Sequence, residues 1–306
     1  MFSFYQKSIN KKIQFKGIGL HTGKKVNMTL LPAPPNHGII FKRIDLKTKN
    51  LIEANFLNVR DALLCTKIEN EFKVSVSTIE HLMGALYGEK INNLLIEIDS
   101  SELPIMDGSA KDFIEKIKEV GVKQYDTLKK YIKVLKKFEY NVGKKTISIE
   151  PEENDLIIDF EIIYQNPLIG KQRKKISLLK DKLTNVYNSR TFCLFEDIEK
   201  VKKAGLGKGG SLDNAIVVQN NKILNQEGLR NENEFVMHKI LDCLGDLALT
   251  KHPLIGKIVC SQGGHKLTND FLRSFFMDKS NYSVIEFKEN KLPNSLLYTK
   301  PLAASA

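Results

Sequence analysis

Hydrophobic and polar residues alternate over short runs at the start of the chain, a period of two that is typical of half-buried strands. Three such runs, bounded by turns rich in glycine and proline, predict strands at residues 13–15, 25–31 and 38–41. A later run predicts a strand at residues 93–98. The first part of the chain is therefore expected to form a small sheet.

Two segments in the same part repeat their hydrophobic residues at the spacing of a helix. The first is predicted over residues 77–86, because Ser77 followed three residues later by Glu80 is the pattern of a capping box. The second is predicted over residues 109–120, after a turn at residues 107–108, and ends at Gly121. The apolar stripe of the first helix consists of Ile79, Leu82, Met83 and Leu86.

The second part of the chain repeats this order of elements. The predicted elements are strands at residues 131–141, 146–150 and 156–163, a helix at 233–249, a strand at 255–260, a turn at 263–264 and a helix that opens at Thr268. In each part a histidine lies on the first helix. The order predicts an α+β fold of two related halves, each a small sheet with two helices, with a site where the halves meet.

We expect the halves to span residues 1–125 and 126–306, joined near residues 122–130. A segment from about residue 190 to residue 221 interrupts the second half and is interpreted as an insert. Its glycine-rich residues 205–210 do not have the spacing of a phosphate-binding loop. They indicate a turn in which the backbone bends sharply or approaches a ligand closely.

Composition narrows the class of protein. The 306 residues are 42% hydrophobic and 27% charged, which is ordinary for a globular protein. No stretch resembles a signal peptide or reaches the roughly 18 apolar residues of a membrane span. The four cysteines are scattered without a CxxC pair, which favours reduced thiols over a disulfide framework. We therefore expect a cytoplasmic protein with no stable membrane insertion.

The net charge of +11 raises the alternative of a basic nucleic-acid-binding protein. The basic residues are spread along the chain, however, with no dense run interleaved with aromatic residues. This distribution favours solvated surfaces and no nucleic-acid partner. Attraction of an anionic substrate is a weaker interpretation of the same charge.

His238 and Asp242 are four residues apart on the predicted helix at 233–249, a spacing that puts both side chains on one helix face. They could grip one metal ion, although an ordinary surface pair explains the same spacing. His81, on the helix of the other half, is the candidate third ligand. Glu80 beside it resembles the general base of metallohydrolases, whereas a role in the capping box would turn it away from a metal-bound water.

His265 follows two glycines, where we expect an exposed, adjustable side chain that suits a general acid or an electrostatic clamp. A loop histidine without a function fits the pattern equally well. Cys65 and Cys193 are weak candidates for a nucleophile, because neither has a base beside it in the sequence. The remaining histidines are interpreted as structural or surface residues: His21, His37 and His252.

Six short motifs occur in order over most of the chain, from about residue 13 to residue 276. They are TIEHL at 78–82, PIMDGSA at 104–110, RTF at 190–192, GGSLDN at 209–214, HKILD at 238–242 and GH at 264–265. Each motif alone is weak evidence, but six in order are specific. Together they resemble the UDP-3-O-acyl-N-acetylglucosamine deacetylase family, which performs the committed step of lipid A synthesis in Gram-negative bacteria.

The resemblance implies two α+β halves packed as a β-α-α-β sandwich with inserts. It implies one Zn²⁺ per chain, with Fe²⁺ also possible, held by His81, His238 and Asp242. Glu80 would be the general base, and His265 would stabilise the transition state as a cation and protonate the leaving amine. Such chemistry suits an amide, which resists hydrolysis without a Lewis acid and a proton donor.

The resemblance also implies supporting residues. Thr191 would help to bind the oxyanion, Asp246 would orient His265, and Lys239 would contact the anionic substrate. The insert at 190–221 would form a hydrophobic passage for an acyl chain. Three further residues would contact the substrate: Phe192, Gly210 and Cys65. The implied substrate is an acylated UDP-amino sugar, and we expect the protein to act as a monomer.

A non-haem iron oxygenase is the second alternative, because two histidines and one carboxylate also form its iron-binding triad. The usual oxygenase pattern, a closely spaced His-x-Asp/Glu followed by a distant histidine, does not occur around these residues.

Overall fold

The computed structural model of the protein describes residues 4–287. The first part of the chain forms nine strands and two helices of more than one turn. In chain order they are β1 (Tyr5–Ile9), β2 (Ile13–Ile18), β3 (Lys25–Pro32), β4 (Ile39–Arg43), β5 (Leu51–Glu53), β6 (Val59–Asp61), β7 (Lys67–Glu69), β8 (Ser75–Val76), α1 (Glu80–Gly88), β9 (Leu94–Ile98) and α2 (Lys111–Val120).

The second part follows in the same α+β style. Its elements are β10 (Val122–Leu128), β11 (Lys130–Val134), β12 (Phe138–Val142), β13 (Lys145–Glu150), β14 (Leu156–Ile163), β15 (Lys171–Ser177), α3 (Thr184–Tyr187), β16 (Phe192–Leu194), α4 (Phe195–Lys203), β17 (Ile216–Gln219), β18 (Lys222–Ile223), α5 (Glu234–Leu247), β19 (Leu254–Ser261), α6 (His265–Met277) and β20 (Tyr282–Glu286). The α+β prediction is confirmed.

The first part builds a five-stranded sheet in the order β2-β3-β9-β4-β5. Its strands β2, β3 and β9 pair antiparallel, and β4 runs parallel to β9. Every second residue of β3 is buried, namely Val26, Met28 and Leu30, which is the alternation that predicted this strand. Strands β6, β7 and β8 form a separate small sheet that the sequence pattern did not predict.

The second part builds a seven-stranded sheet around β19. This strand pairs antiparallel with β13 and parallel with β14, while its first residues pair with β11. Helix α5 packs on β14 and β15, and α6 packs on β12 and β13. Helix α2 packs on β2 of the other sheet, and α1 packs against α5. The helices therefore lie between the two sheets and share one hydrophobic core.

The insert predicted at 190–221 coincides with β16, α4 and β17. Strands β16 and β17 form a three-stranded sheet with β18, in the order β16-β17-β18. Strand β10 occupies most of the predicted connection at 122–130 and pairs antiparallel with β1. The division into halves at residues 125 and 126 stays a prediction. The predicted end of the second half, residues 288–306, lies outside the described residues.

Three predicted boundaries are wrong. The single strand predicted at 131–141 is two strands, because the chain bends between residues 135 and 137, and β11 and β12 then join different partners. The helix predicted from Ser77 begins at Glu80, since Thr78 has a positive φ of 57° that no helix accepts. The helix predicted from Thr268 begins three residues earlier, at His265.

Candidate metal centre and active site

Helices α1 and α5 bring three candidate metal ligands together. His81 lies in the first turn of α1, while His238 and Asp242 lie one turn apart on α5. The Nε2 atoms of His81 and His238 are 3.6 Å and 3.4 Å from Oδ1 of Asp242. Tetrahedral coordination with bonds of 2.0–2.2 Å separates ligand atoms by roughly 3.3–3.6 Å. The spacing therefore fits one small metal ion.

Hydrogen bonding around these three residues also fits a metal ion. The buried Oδ1 atom of Asp242 has no hydrogen-bond partner, which is costly unless a cation binds there. The Nδ1 atom of His238 lies 3.0 Å from the carbonyl oxygen of Ser189, which can only accept, so Nδ1 carries the proton. Nε2 of His238 is then left with its lone pair directed at the cluster, as a metal ligand requires.

The protonation states agree with metal binding. Burial lowers the pKa of His238 to about 3, which keeps the imidazole neutral. Burial alone would raise the pKa of Asp242, but the basic side chains around it outweigh that effect and hold its pKa well below the usual value. A neutral histidine and an ionised carboxylate are the forms that bind metals.

The two helices can approach closely because glycines lie at their crossing. A Cβ atom on Gly245 of α5 would lie 2.1 Å from the carbonyl oxygen of Glu80 on α1. A Cβ atom on Gly84 of α1 would lie 2.8 Å from the carbonyl oxygen of Leu241. These contacts leave no room for larger residues, so the glycines set the distance between the helices that carry the ligands.

Glu80 faces the same cluster. Its Oε1 atom is 3.8 Å from Nε2 of His265, and its Oε2 atom accepts a 3.0 Å hydrogen bond from the backbone N–H of Thr66. The capping box is wrong, because the hydroxyl of Ser77 donates to Ser101 and Glu80 is the first residue of the helix. Burial raises the pKa of Glu80, which suits a group that must take up a proton.

His265 is buried, contrary to the prediction of an exposed loop residue. It is the first residue of α6, and its ring packs into the site and not into solvent. Its Nδ1 atom lies 2.9 Å and 3.1 Å from the two carboxylate oxygens of Asp246. Burial would lower the pKa of His265, but the carboxylates of Asp246 and Asp242 outweigh it and raise this pKa to about 10. The imidazole is therefore protonated at neutral pH.

Thr66 connects Glu80 with the His265–Asp246 pair. Its hydroxyl donates a 2.6 Å hydrogen bond to Oδ1 of Asp246, while its backbone N–H donates to Glu80. The sequence pattern around residue 66 carried no sign of this role, because the contact to Asp246 spans 180 positions. Thr66 thus holds two of the candidate catalytic groups in fixed relative positions.

Lys239 and Phe192 lie at the edge of the cluster. The Nζ atom of Lys239 is 2.9 Å from Oδ2 of Asp242 and 5.8 Å from the centre of the Phe192 ring. The centroid of that ring is 6.3 Å from the centroid of His238. The ion pair raises the pKa of Lys239 against the opposing effect of burial, so the amine stays charged.

A mostly apolar cavity of about 450 Å³ opens beside the metal centre. Thr191, Phe192 and Gly210 line it, together with apolar residues of the insert. Cys65 is not among its lining residues; it interacts with Thr78 and Glu80 instead, and burial raises the pKa of its thiol to about 12. Another cavity, of about 140 Å³, lies by Lys129 and contains none of the candidate site residues.

A buried ion pair fixes residues 189–191, at the start of the chain segment that lines this cavity. The guanidinium of Arg190 donates to the Glu234 carboxylate at 2.9 Å and 3.2 Å, and the Glu234 carboxylate also accepts the backbone N–H of Arg190. Glu234 lies one turn before His238 on α5. The pair therefore clamps residues 189–191 against α5, and Ser189 within them accepts the hydrogen bond from His238.

An α+β protein with a buried candidate metal site of two histidines and one aspartate, next to a glutamate and a protonated histidine, belongs by its chemistry to the metal-dependent hydrolases. The model of the family described as UDP-3-O-acyl N-acetylglycosamine deacetylase matches residues 6–277. The chain therefore belongs to this family, which is metal-dependent. The resemblance found in the six motifs is confirmed.

Relatives at moderate identity match almost the whole chain. The UDP-3-O-acyl-N-acetylglucosamine deacetylase of Pseudoalteromonas atlantica is 39% identical over 303 residues, which cover 98% of this chain and 99% of the relative. The enzyme of the same name from Idiomarina loihiensis is 37% identical, with 98% and 99% coverage. That from Vibrio parahaemolyticus is 38% identical, with 93% and 94% coverage. Among residues 4–287, no helix has both the length and the apolar character needed to cross a membrane.

Proposed function

We propose that the chain hydrolyses the N-acetyl group of UDP-3-O-acyl-N-acetylglucosamine, with Zn²⁺ as its metal, and releases acetate and the free amine. The observation that carries this proposal is the unpartnered Oδ1 of Asp242, which lies within 3.6 Å of the Nε2 atoms of His81 and His238, with Glu80 and His265 beside it. The names and near-complete coverage of the relatives support the choice of substrate.

His81, His238 and Asp242 would hold the Zn²⁺, which when bound supplies a Lewis acid for the amide carbonyl and acidifies water. Three nitrogen and oxygen ligands with one open position are typical of catalytic zinc, and the same set could also hold Fe²⁺. Zn²⁺ is the proposed metal. Loading the metal-free protein with either ion and measuring turnover distinguishes the two.

Glu80 takes a proton from the attacking water, because its carboxylate is buried beside the cluster and its raised pKa makes it a better base. His265 carries a proton on Nε2, 3.8 Å from Oε1 of Glu80, and this nitrogen donates to the nitrogen of the leaving amine. Asp246 and Thr66 keep the His265 ring in this orientation. One water is consumed, and acetate and one amine are formed.

The remaining residues bind substrate in this proposal. Lys239 attracts an anionic group of the substrate, and the hydroxyl of Thr191 supports the negative oxygen that develops on the amide. Phe192 and Gly210 line the cavity that would receive the 3-O-acyl chain. Cys65 lies close to Glu80, so we assign it to the wall of the site and not to chemistry. Action as a cytoplasmic monomer without a nucleic-acid partner stays a prediction.

Glu80→Gln tests this assignment. The amide oxygen of glutamine can still accept from the Thr66 N–H, so the fold and the metal content should be unchanged. Acetate release should fall by roughly 10²- to 10⁴-fold, since glutamine cannot take up a proton. Glu71→Gln, at an exposed position, is the control and should leave both measurements unchanged. Full turnover by Glu80→Gln would exclude Glu80 as the base, and loss of metal would show a structural role.

A further inference from the structure

His21 is a buried histidine on the wall of the apolar cavity, and its ring nitrogens have no hydrogen-bond partner. Its side chain was interpreted from sequence as structural or surface, but it is only 9% exposed, and neither Nδ1 nor Nε2 has a partner. His21 lines the same cavity as Thr191, Phe192 and Gly210. An imidazole buried in this way destabilises a protein unless a ligand or water completes its hydrogen bonds.

The backbone around His21 is held by other contacts, so the ring is not needed to shape the loop. The carboxylate of Glu102 accepts the backbone N–H groups of His21 and Thr22 at 2.8 Å and 2.7 Å, and also the hydroxyl of Thr78 at 2.9 Å. The backbone N–H of Gly209 donates to the carbonyl oxygen of Leu20 at 3.0 Å. These bonds fix the position from which the ring enters the cavity.

The His21 ring offers one donor and one acceptor. Burial lowers its pKa, an effect that exceeds the attraction of Glu102, so the ring is neutral. A neutral imidazole has one N–H and one lone pair. Leu20, Leu64, Phe195 and Leu212 make the surrounding wall largely apolar. A ligand that places a polar oxygen in this cavity, ahead of a hydrocarbon chain, matches such a lining.

We propose that the neutral imidazole of His21 donates a hydrogen bond to the ester carbonyl oxygen of the 3-O-acyl group, and so fixes where the acyl chain enters the cavity. The proposal rests on the proposed function, because the 3-O-acyl ester belongs to the substrate assigned there. An ester has only acceptor oxygens, which the imidazole N–H can satisfy. His21 is then a substrate-binding residue that selects acylated over unacylated or ether-linked sugars.

The test compares two substrates, UDP-N-acetylglucosamine with a 3-O-acyl ester and the analogue with a 3-O-alkyl ether of equal chain length. The wild-type protein should favour the ester by about five- to tenfold in kcat/KM, mostly through KM. His21→Leu should lower kcat/KM for the ester to the level of the ether and leave the ether unchanged within about twofold. His21→Gln, which keeps an N–H donor, should restore part of the preference.

Two controls separate this role from packing. Leu212→Ala removes part of the apolar cavity wall without changing a hydrogen-bond donor, so it should lower kcat/KM equally for both substrates. His21→Leu should also raise the melting temperature of the ligand-free protein, because it removes unsatisfied polar atoms. The proposal would be overturned if His21→Leu lost the same factor in kcat/KM for the ester and the ether, or if the wild-type protein showed no preference for the ester. Absence of acetate release from any substrate by the wild type would instead overturn the proposed function.

Discussion

Replacing Gly245 by alanine tests whether the close crossing of α1 and α5 builds the metal centre. Helix α1 supplies His81, and α5 supplies His238 and Asp242. A Cβ atom at Gly245 would lie 2.1 Å from the carbonyl oxygen of Glu80 and 2.8 Å from its Cα atom. Both are backbone atoms, so no side-chain rotation relieves the contact, and the two helices must separate.

The size of this separation follows from the contact distances. An ordinary contact of a Cβ atom is 3.4–4 Å, so α1 must move from α5 by at least about 1 Å. Metal sites tolerate only about ±0.2 Å in their ligand distances. We expect Gly245→Ala to weaken metal binding by roughly 10- to 100-fold. Turnover should fall by about 10²-fold, and the free energy of unfolding by roughly 1–3 kcal/mol.

The assay combines metal affinity, from competition with a chromophoric chelator, with acetate release and urea unfolding. Gly88→Ala is the matched control on α1, where the new Cβ would meet the end of a side chain, the Tyr187 hydroxyl at 2.1 Å. Gly88 is about 10 Å along the helix from His81, so the Gly88→Ala variant should lose stability without losing metal affinity. Wild-type metal affinity in Gly245→Ala, or an equal loss of metal affinity in Gly88→Ala, would show that the close crossing at Gly245 does not set the geometry of the metal site.

Two further predictions concern buried charge away from the metal. Arg190→Met leaves the fully buried Glu234 carboxylate without its main partner and should lower the free energy of unfolding, measured in urea, by about 3–5 kcal/mol. Arg173→Met, in the more exposed pair with Asp159, should lower it by about 0.2–1 kcal/mol. Equal losses would show that the Arg190–Glu234 pair does not hold residues 189–191 as described. Burial lowers the pKa of Lys129 from 10.5 to about 7. Between pH 7 and pH 10.5 the unfolded chain therefore binds more protons than the native protein. The contribution of Lys129 to the free energy of unfolding accordingly becomes more favourable as pH rises from about 7 to 10.5. Lys129→Met should stabilise the protein most below pH 7, with a gain that fades towards pH 10.5; a gain independent of pH would contradict the buried lysine.

Local sequence spacing indicated two of the three candidate metal ligands. His238 and Asp242 share a helix, and their four-residue separation puts them on one face wherever that helix lies. The same spacing also fitted a surface pair, and the choice depends on burial. Asp242 is 5% exposed with an unpartnered oxygen, which is a property of the packed protein and not of the helix.

The missed features depend on contacts that no local pattern contains. Glu80 matched a capping box because Ser77 lies three residues before it, but a pairing of Ser77 with the distant Ser101 moves the helix start. Thr66 and His21 carry no motif at all. Thr66 matters because it bonds to Asp246, which lies 180 positions away. His21 matters because it lines a cavity whose other wall residues come largely from the insert.

Metal titration of the wild-type protein tests whether turnover depends on one metal ion bound by His81, His238 and Asp242. Metal-free protein is mixed with increasing Zn²⁺, and acetate release from UDP-3-O-acyl-N-acetylglucosamine is measured at each step. A single tight site formed by His81, His238 and Asp242 predicts no turnover without metal and a linear rise that stops at one equivalent per chain. Full acetate release from metal-free protein, or a rise that an Asp242→Ala variant reproduces unchanged, would contradict it.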